Sequence, residues 1–186
     1  MFVGDKTKHA STVPVLIVDY DPKWPAIYEE EKAMILRAIG NKMIAIEHIG
    51  STAVLGLSGK PIIDIMVAVR RLADAEECVE PLGAVGYDYR PEASTTDRLF
   101  FNKGPPEAHR HLHVTEKGSN SWQEHLLFRN FLRSHPDVAR QYYELKEELA
   151  ARFRYDREAY TEAKTPFINS VVDRARTEMG HRTSSG

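Results

Sequence analysis

Two short runs decide how this chain is read: Ile46-Glu47-His48-Ile49-Gly50-Ser51-Thr52, and then Lys60-Pro61-Ile62-Ile63-Asp64-Ile65-Met66-Val67. An apolar run ends in Gly-Ser, a loop follows, and a β-branched strand then carries one carboxylate. Gly50 has no side chain, so a phosphate can approach the backbone there. Ser51 and Thr52 add hydroxyl donors beside backbone N–H groups at an expected helix start, a place that favours anions. Asp64 interrupts an apolar strand, where a charge is costly to bury unless it is paired or binds a metal. Alternation puts Ile62, Asp64, Met66 and Ala68 on one face and Ile63, Ile65, Val67 and Val69 on the other. Both faces look covered, as in a central strand.

Working outward from these runs, Val13 to Val18 read as a short edge strand because of Pro14. A helix then starts with Asp21 as N-cap and Pro22 and Pro25 in its first turn. Trp24, Ile27, Tyr28, Met34, Ile35, Ala38 and Ile39 share one helical face, and Gly40 ends the helix. Lys42 to Ile49 read as a strand with Ile44, Ile46 and His48 on one face. Beyond Val69, a helix over Ala73–Leu82 is expected, capped by Asp74 and kinked or closed by Pro81. Strands follow at Tyr87–Arg90, Arg98–Lys103 and His111–Val114, with a turn at Gly104-Pro105-Pro106. From Ser121 three helices are expected, with boundaries near Pro136 and Asp156 and a bend near Pro166. Loose tails are expected at 1–12 and 179–186, around one domain spanning 13–178. The fold class is α/β (α+β): a mixed sheet flanked by helices, with a helical C-terminal layer.

Length and composition agree with one globular domain: 186 residues, 42% hydrophobic and 28% charged. The formal net charge of −2 removes any bulk electrostatic case for nucleic acid or an anionic membrane. The single cysteine, Cys78, forms no internal disulfide and leaves no cysteine-based zinc motif. No apolar signal core and no membrane-length run appear, so a cytoplasmic location is expected. The oligomeric state is left open.

Several residue types could carry chemistry. His111 and His113 form a His-x-His whose imidazoles point the same way along a strand. That pattern suits a grip on a metal or on phosphate oxygens, and equally suits paired surface histidines. Lys60 stands next to the Asp64 strand, where it either meets phosphate or is simply solvated. Arg98, Arg129, Arg133 and Lys164 are further anion contacts or ordinary surface cations, with Arg129 and Arg133 four apart on one helical face. His48 either orients Asp64 or Ser51 or is a satisfied core histidine.

Gly50-Ser51, a loop, and then an acid within an apolar strand resemble the signature of the nucleotidyltransferase superfamily (DNA polymerase β-like). More closely, the chain is similar to its GrpB-like family over roughly Val13 to Val172. The likeness is carried by Val18-Asp19-Tyr20-Asp21-Pro22 with Trp24, the Glu47-to-Asp64 segment, and Arg110-His111-Leu112-His113-Val114. It continues through Phe128-Arg129, Phe131-Leu132-Arg133, Tyr143 with Leu145-Lys146, and Tyr160 with Lys164 and Phe167-Ile168. The resemblance implies nucleotide phosphates at Gly50, Ser51 and Thr52, with Asp64 and Ser51 in catalytic positions. It also implies a divalent metal (Mg, Mn or Zn) at Asp64, with His111 or His113 in the place of a further acid. The superfamily's second acid, two residues after the first, is here Met66, a poor ligand for hard Mg²⁺. Leu55 stands where the family often has Pro, and Asn130 where it often has Asp. Two readings follow: a nucleotidyltransferase, or a non-catalytic module that binds a nucleotide or phosphorylated small molecule. Since GrpB-like domains also occur fused to dephospho-CoA kinase, the second reading includes an accessory role in nucleotide or coenzyme A metabolism. A third, a metal site built from Asp64, His111 and His113, is the weakest.

Overall fold

The alternating run around Asp64 becomes strand β2 (Ile63–Val69), an interior strand of a five-stranded sheet. In this computed structural model, which describes residues 13–105 and 109–183, the sheet order is β1-β2-β5-β4-β3. β1 is Met43–Ile49, β3 Asp88–Tyr89, β4 Arg98–Lys103 and β5 Arg110–Glu116. All neighbours are antiparallel except β2 and β5, which run parallel. The mixed α/β class expected from the sequence is therefore the fold observed.

One face of β2 builds the main core. Ile63, Ile65, Val67 and Val69 pack with Trp24, Tyr28, Ile35 and Ile39 of helix α1 (Trp24–Ile39) and with Leu82. The other face is covered by the C-terminal layer, in which Met66 and Ala68 meet Ile49 of β1 and Trp122 of helix α4 (Asn120–Ser134). Helices α5 (Pro136–Arg152), α6 (Arg157–Ala163) and α7 (Thr165–Thr183) complete that layer. Ser119 caps α4 by accepting the Trp122 N–H at 3.2 Å, and Asp156 caps α6 by accepting the Ala159 N–H at 2.9 Å. Among the described residues no helix is long and apolar enough to cross a membrane.

Several local expectations are corrected. Val13 to Val18 contribute a single bridge, Val18 to Gly59, and Val15 N–H bonds instead to the Arg154 carbonyl at 2.7 Å. This stretch thus joins the helical layer to the Gly50–Gly59 loop. Asp21 does not occupy the N-cap, which falls on Lys23; its carboxylate accepts the Lys23 N–H at 2.9 Å. The expected helix over Ala73–Leu82 is two short ones, α2 (Ala73–Glu76) and α3 (Val79–Ala84). Pro81 explains the break: a continuous helix needs an N–H there for the Glu77 carbonyl, and the ring would strike that carbonyl. Within α3, Pro81 lies in the first turn, where no N–H is required. Asp74 is not a cap; it pairs with Arg71. Gly40 closes α1 in a right-handed conformation. α7 runs to Thr183, past the expected end of the domain at 178. The tail 1–12, Pro106 of the expected turn and the final residues 184–186 lie outside the described residues.

On the α1 side, Glu31 is the buried charge that ties helix to sheet. It is 6% exposed, accepts from Tyr87 Oη and Lys103 Nζ at 3.0 Å each, and lies 3.4 Å from Arg110 Nε. Removing one partner from such a set leaves buried charge without its counter-ion. Glu31→Ala is expected to lower the unfolding free energy by about 3 kcal/mol in urea titration.

Candidate functional site between the sheet and the helical layer

β1 ends at Ile49, and Gly50 then turns the chain with φ of 72°. That left-handed conformation favours glycine, and a methyl group built at Gly50 would collide with the Asp64 carboxylate. The turn and the acid therefore pack directly against each other. Ser51 to Ala53 form one 3-10 turn within the loop that joins β1 to β2.

Parallel register sets the rest. Asp64 pairs with His111, and Met66 with His113. Asp64 Oδ1 lies 3.1 Å from His111 Nδ1. Burial pushes the Asp64 carboxyl up, but the His111 hydrogen bond and the cationic side chains around it win, taking its pKa down to about 2. His113 lies one pleat further along, against Phe100 and His125 at ring distances of 5.1 and 5.6 Å. It is 8% exposed, and burial keeps it neutral. Among the described residues no three His, Cys, Asp or Glu side chains stand together as a ready metal-holding group. Met66, where a second acid would stand, is fully buried in apolar surroundings.

Asp64 opens into a cavity of about 360 Å³ between the sheet and the helical layer. Gly50, Ser51, Lys60, Asp64, His111, His113 and Lys164 all line it, so seven sequence-predicted residues converge there. Thr52 does not reach it: its hydroxyl donates to the Ile62 carbonyl at 3.1 Å and meets His48 Nε2 at 3.0 Å. His48 stacks on Tyr28 with ring centres 4.6 Å apart, the core alternative of the two foreseen.

The three arginines expected as anion contacts also lie off the cavity, where they meet other groups. Arg129 is 7% exposed and donates Nη1 to Glu47 at 2.7 Å and to the His48 carbonyl at 2.8 Å. Arg133 donates twice to the Ala53 carbonyl, at 2.9 and 2.7 Å. Arg98 donates to the Ala93 carbonyl at 3.2 Å and lies over the Phe100 ring at 5.8 Å. Arg129 and Arg133 instead fix both ends of the Gly50-Ser51 turn to α4.

The cavity also has residues that sequence reasoning did not single out. Lys146 of α5 lies 3.0 Å from Ser51 Oγ and donates to the Ser58 carbonyl. Tyr142 lies under Lys146 at 4.7 Å, while Tyr160 lies under Lys164 at 4.3 Å and Lys60 at 5.4 Å. Glu124, His125, Phe128 and Ile168 complete much of the wall. The missed signal was Lys146 itself, a cation on the otherwise apolar stripe of Val138, Tyr142 and Leu149.

The mixed sheet with Gly-Ser after β1 and an acid within β2 has a fold like that in the GLD-2/RNP-8 complex, at 12% identity and a TM-score of 0.54 over 81% of this chain and 60% of that one. The chain belongs to the GrpB family: the model for "GrpB protein" matches residues 14–174. A UPF0157 protein of Pseudomonas aeruginosa is 39% identical over 97% of this chain and 75% of its own length. The solved GrpB protein of Enterococcus faecalis is 30% identical, with a TM-score of 0.81 over 88% of this chain and 99% of that one. A dephospho-CoA kinase of Mycolicibacterium paratuberculosis is 29% identical over 91% of this chain, which spans 48% of that protein. The Cid1 poly(U) polymerase with MgGTP bound shares the fold alone, with 14% identity and a TM-score of 0.50 over 73% of this chain and 45% of that one.

Two outcomes follow from this geometry. Gly50→Ala should cost about 3 kcal/mol by denaturant titration, whereas Gly56→Ala, with similar φ but open space around it, should cost about 1. His48 titrates near 4 because burial disfavours its charged form, against 6.5 in the unfolded chain. Between those values the unfolded state holds more protons, so stability falls as pH drops through this window. His48→Gln should flatten the stability profile from pH 6.5 to 4 by up to about 3 kcal/mol.

Proposed function

We propose that the cavity binds a nucleotide or another phosphorylated small molecule, with its phosphate groups held by Ser51, Lys60, Lys146 and Lys164. One observation carries this reading: three lysine side chains and the Gly50-Ser51 turn face one hollow whose two acids, Asp64 and Glu124, are already engaged by His111 and Arg176. The aromatic wall of Phe128, Tyr142 and Tyr160 offers a flat apolar surface for a base or similar group. The nucleotide held in the Cid1 structure, a protein of the same fold, supports the choice of ligand class. The dephospho-CoA kinase relative is compatible with a role beside coenzyme A metabolism.

A second reading, nucleotidyl transfer, is favoured by the position of Asp64 and His111 at the Gly50-Ser51 turn. One carboxylate and one imidazole fit a single divalent ion, Mg²⁺, Mn²⁺ or Zn²⁺, that arrives with the ligand's phosphates. They do not fit a pair of ions, which needs several bridging carboxylates. The bound ion would neutralise charge on the phosphates, while Asp64 and His111 hold its position and the lysines bind the outer oxygens.

Calorimetric titration with ATP and with pyrophosphate tests the binding reading. Ser51→Ala and Lys164→Gln should each weaken binding by roughly tenfold to a hundredfold, the value of a hydrogen bond to a charged group. Failure of every nucleotide and of pyrophosphate to bind at millimolar concentration would remove it. Pyrophosphate release from each NTP with each metal, abolished by Asp64→Asn, is the expected sign of transfer.

A further inference from the structure

Lys146 ends among neutral partners. Its side chain is buried, at 2% exposure, and its neighbours are the Ser51 hydroxyl, the Ser58 carbonyl and the Tyr142 ring. Gly59 permits this approach: a Cβ there would stand 3.3 Å from Nζ and 2.9 Å from Ser51 Cβ. Among the described residues no carboxylate is bonded to it.

The other titratable groups facing this space do not supply the balance. From the start of β2 and the end of α6 come two more cations, Lys60 and Lys164. Asp64 is the acid on the sheet side, and His111 already engages it. Glu124 of α4 lies at the rim and pairs with Arg176 at 2.9 Å. His113 and His125 are held neutral by burial, and burial likewise keeps the Tyr142 and Tyr160 hydroxyls protonated. The cavity thus has places for three ammonium groups and two carboxylates, each carboxylate already engaged by a partner of its own.

Resting on the phosphate-binding reading, we infer that this site counts charge. It selects a terminal phosphate monoester or polyphosphate over a singly charged phosphodiester, and it takes up a proton from solvent as that ligand binds.

The reason is electrostatic. Burial, together with Lys164 and Lys60, lowers Lys146 to about 7, and burial with Lys60 lowers Lys164 to about 8. At pH 8 the free cavity is therefore short of its full complement of protons. A group with two or more negative charges restores them, because an opposite charge nearby favours the ammonium form. Proton binding and ligand binding then reinforce each other. A phosphodiester, with one charge, satisfies one ammonium and leaves the others opposed. A merely structural Lys146, bracing Ser51 against Ser58, would produce neither preference nor proton uptake.

The test is calorimetry at pH 8 with ATP, AMP and cyclic AMP, each in two buffers of different ionisation enthalpy. ATP and AMP should bind about tenfold or more tighter than cyclic AMP. Their heats should differ between buffers by the equivalent of about one proton taken up, and ATP affinity should fall from pH 7 to 9. Lys146→Arg, which keeps a permanent charge, should retain ATP binding while the uptake drops. Equal affinity for AMP and cyclic AMP, or buffer-independent heats in the unmodified protein, would overturn the inference and leave the phosphate-binding reading standing. Undiminished proton uptake by Lys146→Arg would overturn the role of Lys146. No binding of any of the three would remove both.

Discussion

Parallel pairing between β2 and β5 is the constraint on which the rest of this structure depends. Residue by residue, it sets Asp64 beside His111 and Met66 beside His113. A slip of one residue would send every side chain of the strand to the opposite face. Asp64 would then enter the apolar layer beneath α1, away from His111. Because both faces of β2 are covered, the register is fixed twice over, once by each core. The acid can therefore sit at a defined distance from the turn that follows β1.

That turn is held with equal firmness from the other side. Arg129 joins α4 to the end of β1, and Arg133 joins the same helix to Ala53. Guanidinium suits this work because its planar fork makes several bonds in fixed directions. Two cations that look available for an anion are instead used to hold backbone carbonyls. The lysines do the opposite: Lys60, Lys146 and Lys164 lie along tyrosine rings and leave ammonium groups facing the hollow. Arginine frames the pocket and lysine fills it.

The legible part of this molecule was the part written in local pattern. Alternation around Asp64, the Gly-Ser turn and the stripe on α1 each announce themselves over a few residues. The arginines were misplaced because four-residue spacing reports which helical face they share, and says nothing of which carbonyls lie opposite. Pro81 signals an interruption in the helix, but not that its missing N–H acts one turn earlier, at Glu77. Lys146 was passed over because its helix reads as core, and a lysine in a core stripe is easily taken for an edge residue. What pattern cannot supply is the partner across the fold. Tyr142 under Lys146 and Tyr160 under Lys164 are facts of tertiary packing.

The walls of the hollow come from stretches far apart along the chain: Ile49 to Asp64, His111 to Phe128, and Tyr142 to Ile168. No single half of the polypeptide contains it. The sheet with α1 has its own apolar core, distinct from the one beneath α5 and α7. A molecule lodged in the seam would touch the sheet at Ile49 and Asp64 and the helical layer at Phe128, Tyr142 and Ile168, and act as a rivet between them. Its occupancy would then be felt in the cohesion of the last three helices, well beyond the atoms that grip it.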